Sequence, residues 1–541
     1  MSKPSWMHMS ALYSAVLLSV LPACSTSPGK ESTGVTIGLS QAVSPDSPSA
    51  ASAVASAGRA EMKRQLGDLQ GAVNDSTEAI ELDPGLAAAY ATRAAAKFRL
   101  KDYTGAYDDA SKAIRLNPRY SDAYATRAAA KAQLGDHLGA VADASESIRL
   151  NGARADAYII RGTAKFKLGD YQGALDDNSR AIQLAPHHLL AYANRAGTKH
   201  QLGDLPGALE DLSHIVALAP KNASGYLLRG AVHIDIANWR AALDDYNQAI
   251  ALGADDVGAY ISRSNIKLQL GDVRGAFDDA SEAIKRDPGN AGAYVNRGWA
   301  KQQQRDPKGA LEDARQAIQY DPKLAAAYIL RAEVLIHLHH HSEALEALSQ
   351  AIHLGDHDAR TYLTRGKAKV AIGDVHGALE DFSRALSMAP KESAIYANRG
   401  WARFLAMDIP GAVEDLTRAI ELNPTYQYAY AARSRVKLKL HEYQSVIEDT
   451  TQAITLAPQY AEPYMLRSLA KMELGDAAGA LEDASRSISL DEASAEAYLT
   501  RGLIYMALKN PEAARKDFFK AGELSPRLLD EIQNQRTERE T

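Results

Sequence analysis

Apolar, small and charged positions recur along this chain with a fixed period of thirty-four residues. The stretch AYATRAAAK stands at 89–97 and again at 123–131. Tyr returns every thirty-four residues from Tyr90 to Tyr498 without insertion or deletion, and Arg follows three positions later, from Arg93 to Arg501. Arg59 marks an earlier copy whose tyrosine slot holds Ser56, so there are fourteen copies, the first starting at 53 and the last at 495. Each copy, numbered from position 1, reads as two helices. The residue after Arg is always small (position 8: Ala94, Gly162, Ser264, Gly502), and twelve residues later comes Ala in every copy except Val446. Small residues at facing positions allow two antiparallel helices to approach closely. Between them lies a turn, often Gly-Asp. Gly suits the left-handed end of the first helix, and Asp or Asn at position 16 is a cap for the second. Most second helices run out at a proline, as at Pro118, which cannot continue them.

A thirty-four-residue helix–turn–helix with Tyr or Trp at position 4, small residues at 8, 20 and 27, and proline at 32 resembles the tetratricopeptide repeat. The resemblance covers 53–526 and implies an all-α fold: a right-handed α-α superhelical solenoid of about fourteen repeats. First helices would line its concave face, and neighbouring repeats would bury what a single repeat cannot. After Pro526, Leu528, Leu529 and Ile532 fall on one side of 527–541, which is expected to form a C-terminal capping helix.

The chain departs from the usual family pattern, Leu at position 7 and Tyr at position 11. Position 7 is Arg in all fourteen repeats. Position 11 is Lys or Arg except at His233, Leu335 and Tyr505. Position 23 is Asp from Asp75 to Asp517, with Ala347 the exception. In a hairpin folded about positions 15–16, position 7 lies opposite 23 or 24, so Arg93 should meet Asp109 and Arg297 should meet Asp313. A cation row with a matching carboxylate at nearly every level reads as internal neutralisation, a structural ion-pair ladder.

Binding is expected on the concave face, which the resemblance assigns to positions 2, 5, 6, 9, 12 and 13. In the later half these turn apolar: Trp299, Ile329, Ile336, Leu363, Val370, Trp401, Phe404, Met465, Leu469, Met472, Leu499, Leu503, Met506. Such a lining is either an open partner groove or packing between adjacent first helices. Asn194, Asn296 and Asn398 recur at position 6, 102 residues apart. Gly152, Ala254 and Asp356 replace the proline at the same interval, which points to duplication of three-repeat blocks. An amide donates and accepts at once, so an asparagine row suits an extended peptide backbone. The row resembles the asparagine ladder in the superhelix of O-linked N-acetylglucosamine transferase. Trp299 and Trp401 follow Asn296 and Asn398 by three residues, which puts an indole beside each amide. These five residues are the expected partner contacts. The His337, His339, His340 and His341 cluster lies in a turn and lacks accompanying ligands, so it reads as solvated, with no metal expected.

Composition narrows the function further. A net charge of −6 with no basic tract argues against nucleic acid, and one cysteine argues against a disulfide framework or a Cys-based zinc site. That cysteine closes a leader-like segment. Lys3 precedes an apolar run, Ala11 to Leu21, of roughly 16 Å as a helix, short for a bilayer but suited to a signal peptide. Leu21-Pro22-Ala23-Cys24 resembles a bacterial lipobox, with Pro22 an unusual occupant. This marks 1–24 as a signal peptide and Cys24 as the lipidated residue; the alternative is a plain secretory leader cleaved near Ala23. Ser25 in place of the inner-membrane retention Asp implies the outer membrane, facing the periplasm. Residues 25–52, rich in Ser, Pro and Gly, read as a flexible tether.

No phosphate loop, nucleophile elbow or zinc-protease motif occurs. The expectation is therefore a non-enzymatic scaffold without cofactor or small-molecule substrate. It would be membrane-anchored through its N-terminal lipid and hold extended segments of partner proteins during assembly or secretion of envelope components. The alternative is a chaperone-like holder of unfolded polypeptides. Metabolic labelling with a palmitate analogue should mark the wild-type chain and spare Cys24→Ser; label that survives the substitution excludes the anchor.

Overall fold

The computed structural model describes residues 48–525; Cys24, residues 25–47 of the tether and the 527–541 segment lie outside the described residues. Those residues form twenty-eight α-helices and no strand. From the second repeat onward every first helix starts at position 1, as in Ala87–Arg99, and is followed by a second, as in Tyr103–Leu116. The first described helix, Pro48–Leu66, starts five residues ahead of position 1. Residues 48–52, assigned to the tether from sequence, therefore extend a helix, and Pro48 sits at its first position, where a missing N–H costs nothing. No described helix is long and apolar enough to cross a membrane.

The chain divides into two compact units, one running to Arg286 and the other from Asp287. Each is an α solenoid in which every helix packs on its sequence neighbour and first helices also touch the first helix of the next repeat. The helix pairs close through small residues. Where position 8 is Gly, it makes room for a bulky neighbour. A Cβ on Gly366 would stand 2.5 Å from Phe382, and one on Gly400 2.8 Å from Leu416. Phe382 and Leu416 are fully buried.

The turn is uniform although its sequence is not. All fourteen position-15 residues have positive φ. Seven are glycines, among them Gly67, Gly203 and Gly475; the others are Lys101, Ala237, Arg305, His339, Met407, His441 and Lys509. A side chain in that region costs about 1–2 kcal/mol, so the two packed helices impose the turn even where no glycine favours it. At position 16 the Asp and Asn side chains accept from the amide three residues on, as Asp102 does from Gly105 at 2.9 Å. His340 and Glu442, the two exceptions in type, make no such bond.

Successive repeats are joined by the position-4 tyrosine. Tyr226, Tyr294, Tyr328, Tyr396, Tyr430 and Tyr464 donate to the carbonyl of the preceding repeat's position-32 proline at 3.2–3.4 Å. Where that proline is missing the hydroxyl finds other company. Tyr260 accepts from Arg286 at 3.1 Å, and Tyr362 lies 3.3 Å from His357 Nδ1. Gly253 and Gly355, with φ of 88° and 95°, end the second helices of repeats six and nine one residue early. Gly152 takes no such conformation, so the three-repeat period is structural in six and nine only.

The fit at Gly366 is testable. Gly366→Ala should destabilise its unit by about 1–3 kcal/mol through overpacking. Adding Phe382→Leu should recover much of this, because repeat five already pairs Ala196 with a buried Leu212. Denaturant titration of both variants reads the result; a single variant as stable as wild type shows that the pair is not closely fitted.

Candidate functional site

The ladder residues come together on the helix hairpin. Arg93 Nε and Nη2 donate to the two carboxylate oxygens of Asp109 at 2.8 and 2.7 Å, and Lys97 Nζ lies 2.7 Å from the same carboxylate. Arg297 does the same with Asp313 at 3.0 and 2.7 Å, with Lys301 at 2.8 Å. Asp313 is 1% exposed. The Arg–Asp pair recurs in every repeat from two to eight and ten to fourteen. In the first repeat it is looser: Arg59 stands 3.7 Å from Asp75 and turns to Glu78 at 2.9 Å.

Two further contacts were not anticipated from sequence. The free Nη1 of Arg93 donates to Thr77 of the preceding repeat at 3.2 Å, and Arg161, Arg433 and Arg467 likewise reach Ser145, Thr417 and Thr451. All these acceptors sit at position 25, whose run of Ser, Thr and Asn was the available signal. In the twelve repeats with the Arg–Asp pair the guanidinium also lies over the ring of the tyrosine three residues earlier, 5.3 Å away for Arg297 and Tyr294, a cation–π contact.

Hydrogen bonding to Asp313 raises the Arg297 pKa against the opposing effect of burial. Burial alone would raise the carboxyl of Asp381, but Arg365 and Lys369 outweigh it and hold that group below its usual range. Its contribution is therefore complete above the unfolded carboxylate range and is lost as pH falls through the lower folded value. In repeat nine Leu335 and Ala347 are both buried and pack with Leu348. There an apolar contact replaces Lys and Asp together, a far milder change than losing one partner. With its cations spent internally, the ladder presents no row of charges to a ligand.

The expected partner contacts separate. Asn194 is buried and donates to Thr163 Oγ1 on the preceding first helix at 2.9 Å. Asn398 donates to its own helix, to the Ala394 carbonyl at 2.7 Å, and Asn296 is half-buried and engaged. The three amides therefore form no open row: Asn194 is linked to a neighbouring helix, Asn398 to its own, and Asn296 is engaged as well. Trp299 packs against Ala310, Ala314, Leu330 and Val334 and is core packing. Most of the apolar lining follows it. Met465 is 4% exposed, while Ile336, Leu363, Val370, Phe404 and Met472 lie against buried clusters. At most levels, then, packing within the array covers positions 5, 9 and 12. Only in the last repeat do Leu503 and Met506 stand out, about half exposed at 50% and 46%. The histidine turn is exposed, His340 facing Glu343 at 2.9 Å, and no metal-ligand group exists among the described residues.

Trp401 and Asn398 differ from the rest because they border a cleft on the first-helix face of repeats eleven to thirteen. It offers a volume of about 200 Å³, is open to solvent, and is lined also by Ala397, Tyr426, Tyr428, Ala432, Tyr460 and Glu462. The small Ala397 and Ala432 leave the space that aromatic rings surround. Tyr428 meets Tyr460 edge-on at 5.3 Å and Tyr426 at 5.8 Å. Tyr460 donates to Glu462 at 2.6 Å, and Arg435 Nε donates to the other oxygen of that carboxylate at 2.9 Å. Arg435 also reaches Glu496 at 3.3 Å. Burial first, then the Glu462 charge, push the Tyr460 phenol far above its usual range, so it stays a neutral donor. A second hollow adjoins at Glu462, lined by Arg435, Met465, Asp491 and Glu496 among others.

Tyr426 and Tyr460 occupy position 34, the extended cap ahead of a first helix. Family positions for the concave face do not include it. The available signal was the tyrosine excess: twenty-five in the chain, thirteen at position 4, and three of the remainder in this one cleft.

A tetratricopeptide-repeat family profile matches residues 227–291, 295–359, 363–427 and 465–527. No curated protein sequence matches the chain. Among solved structures, the hetero-tetramer Cut9-Hcn1 of the APC/C is similar at a TM-score of 0.50 and 16% identity, over 82% of this chain and 95% of that one. A tetratricopeptide-repeat protein from Parabacteroides merdae has a TM-score of 0.41 at 20% identity, over 47% of this chain and 98% of that one. YrrB, described as having an unusual peptide-binding site, has a TM-score of 0.31 at 20% identity, over 34% and 95%.

Asp313→Ala should destabilise its unit by about 1–3 kcal/mol, since it strands two half-buried cations. Combining it with Arg297→Leu and Lys301→Leu should recover much of the loss, as repeat nine does naturally at two of the three positions. Denaturant midpoints of the two variants decide, and a triple variant no better than the single one refutes the account.

Proposed function

We propose that this chain, a tetratricopeptide-repeat protein, is a non-enzymatic scaffold that holds extended segments of partner proteins on its first-helix face. Its membrane attachment through a lipid on Cys24 and its periplasm-facing place, in assembly or secretion of envelope components, belong to the same proposal. They are supported by the lipobox-like Leu21–Cys24 and the tether-like composition after it. The observation that carries the binding part is the open, aromatic cleft around Trp401 and Tyr428, in an array whose other polar rows are satisfied internally. Stacked repeats present such clefts on a rigid frame, which lowers the ordering cost of binding. The chaperone-like reading drew on a continuous apolar lining; most of that lining is packed, and only the end of the last repeat favours it.

Site-specific photo-crosslinking tests the scaffold reading. A benzoyl-phenylalanine in place of Tyr428, which is 53% exposed, should yield discrete protein adducts in native membranes. The same probe in place of Arg315, whose side chain is 74% exposed on a second helix, should not. Equal adducts from both positions, or none from Tyr428, would overturn it, and a broad smear of clients would favour the holder.

A further inference from the structure

We propose that the cleft of repeats eleven to thirteen takes a lysine or arginine side chain of an extended partner segment; this rests on the scaffold reading above. Three features of the cleft choose the sign of the occupant. First, its walls are largely aromatic side chains. Tyr428 is 53% exposed and in edge contact with Tyr460 at 5.3 Å, and Trp401 closes the other side. Aromatic faces attract cations through the ring quadrupole, Trp most strongly, and an enclosure of several rings binds better than one.

Second, carboxylates outnumber cations. Glu462, Asp491 and Glu496 stand around a single guanidinium, that of Arg435, across the cleft and the hollow that adjoins it. Glu496 keeps 55% of its side chain in solvent and is held only at 3.3 Å, so it can turn to a second cation without breaking a short bond. Third, an anion would find the one guanidinium already engaged. Arg435 already bonds both Glu462 and Glu496, and the Tyr460 hydroxyl is committed to Glu462 at 2.6 Å. Binding a carboxylate or phosphate would add negative charge beside three carboxylates, and the guanidinium could serve it only by giving up these bonds. A long aliphatic stem, by contrast, lies well along Ala432 and the Trp401 ring, and its charged end reaches the rim.

The test uses the full chain and three fluorescein-labelled ten-residue Gly/Ser peptides. One carries two arginines, one two citrullines and one two glutamates, and binding is read by polarisation. The arginine peptide should bind at least tenfold tighter than the other two. Trp401→Leu with Tyr428→Leu should remove at least fivefold of its affinity, Glu496→Gln should weaken it and flatten its salt dependence, and Tyr428→Phe should leave it unchanged. Citrulline or glutamate binding equal to arginine overturns the proposal. So does arginine binding that survives both the double substitution and Glu496→Gln. If the double variant loses helicity by circular dichroism, the contrast between Tyr428→Phe and Glu496→Gln decides in its place. Peptide failure with persistent adducts from position 428 overturns the cationic occupant alone; absence of both overturns the scaffold reading as well.

Discussion

The buried carboxylate at position 23 ties together more of each repeat than any other group. It receives two parallel bonds from the Arg of the facing helix and a third contact from Lys one turn on. The same guanidinium rests on its repeat's tyrosine ring and, in many repeats, on a hydroxyl of the preceding second helix. One Asp therefore orients the hairpin, and the Arg it holds connects that hairpin to its neighbour. A charge cluster of this kind is a weak source of net stability, because desolvation offsets much of the Coulomb gain. Its strength lies in geometry: a bidentate fork accepts one register of the two helices and disfavours others. Repeat nine shows the limit, closing with Leu335, Ala347 and Leu348 instead.

With register held this way, packing has freedom. Position 8 shrinks to Gly where position 24 grows to Phe or Tyr, and to Gly or Ala where it is Leu, and the helix pair still closes. The position-15 turn keeps positive φ whether its residue is Gly or Lys. Variation in local preference is absorbed because contacts on either side over-determine the backbone. A solenoid built so needs each repeat to satisfy only its neighbours.

The same economy explains where binding chemistry can sit. Polar groups that recur along the array are mostly spent within it: Arg on Asp in twelve repeats, Asn194 on Thr163, six tyrosine hydroxyls on proline carbonyls. What breaks the period is left over. Tyr428 is the one tyrosine at position 2, position 34 is Tyr only at 120, 426 and 460, and Tyr426, Tyr428 and Tyr460 together with Trp401 surround open space. Specific recognition in this array thus falls on departures from the repeat, and the regular positions serve as frame.

Period, helix pairing, caps and the Arg–Asp partnership were legible in the sequence because each depends on spacing along one hairpin, and a 34-residue repeat states that spacing fourteen times. The Arg93–Asp109 and Arg297–Asp313 contacts lie sixteen residues apart in the chain, within reach of local geometry. Exposure was not legible, because it depends on how one repeat covers the next. Asn194 and Trp299 carry the right chemistry at plausible positions, yet neighbouring helices take them up. The cleft of Tyr428, Tyr460, Glu462 and Arg435 draws on two successive repeats and, with Trp401, a third. Only the stacked structure decides which of those side chains meet and which ring faces remain open, since that outcome is set by shape complementarity between repeats and not by any spacing within one.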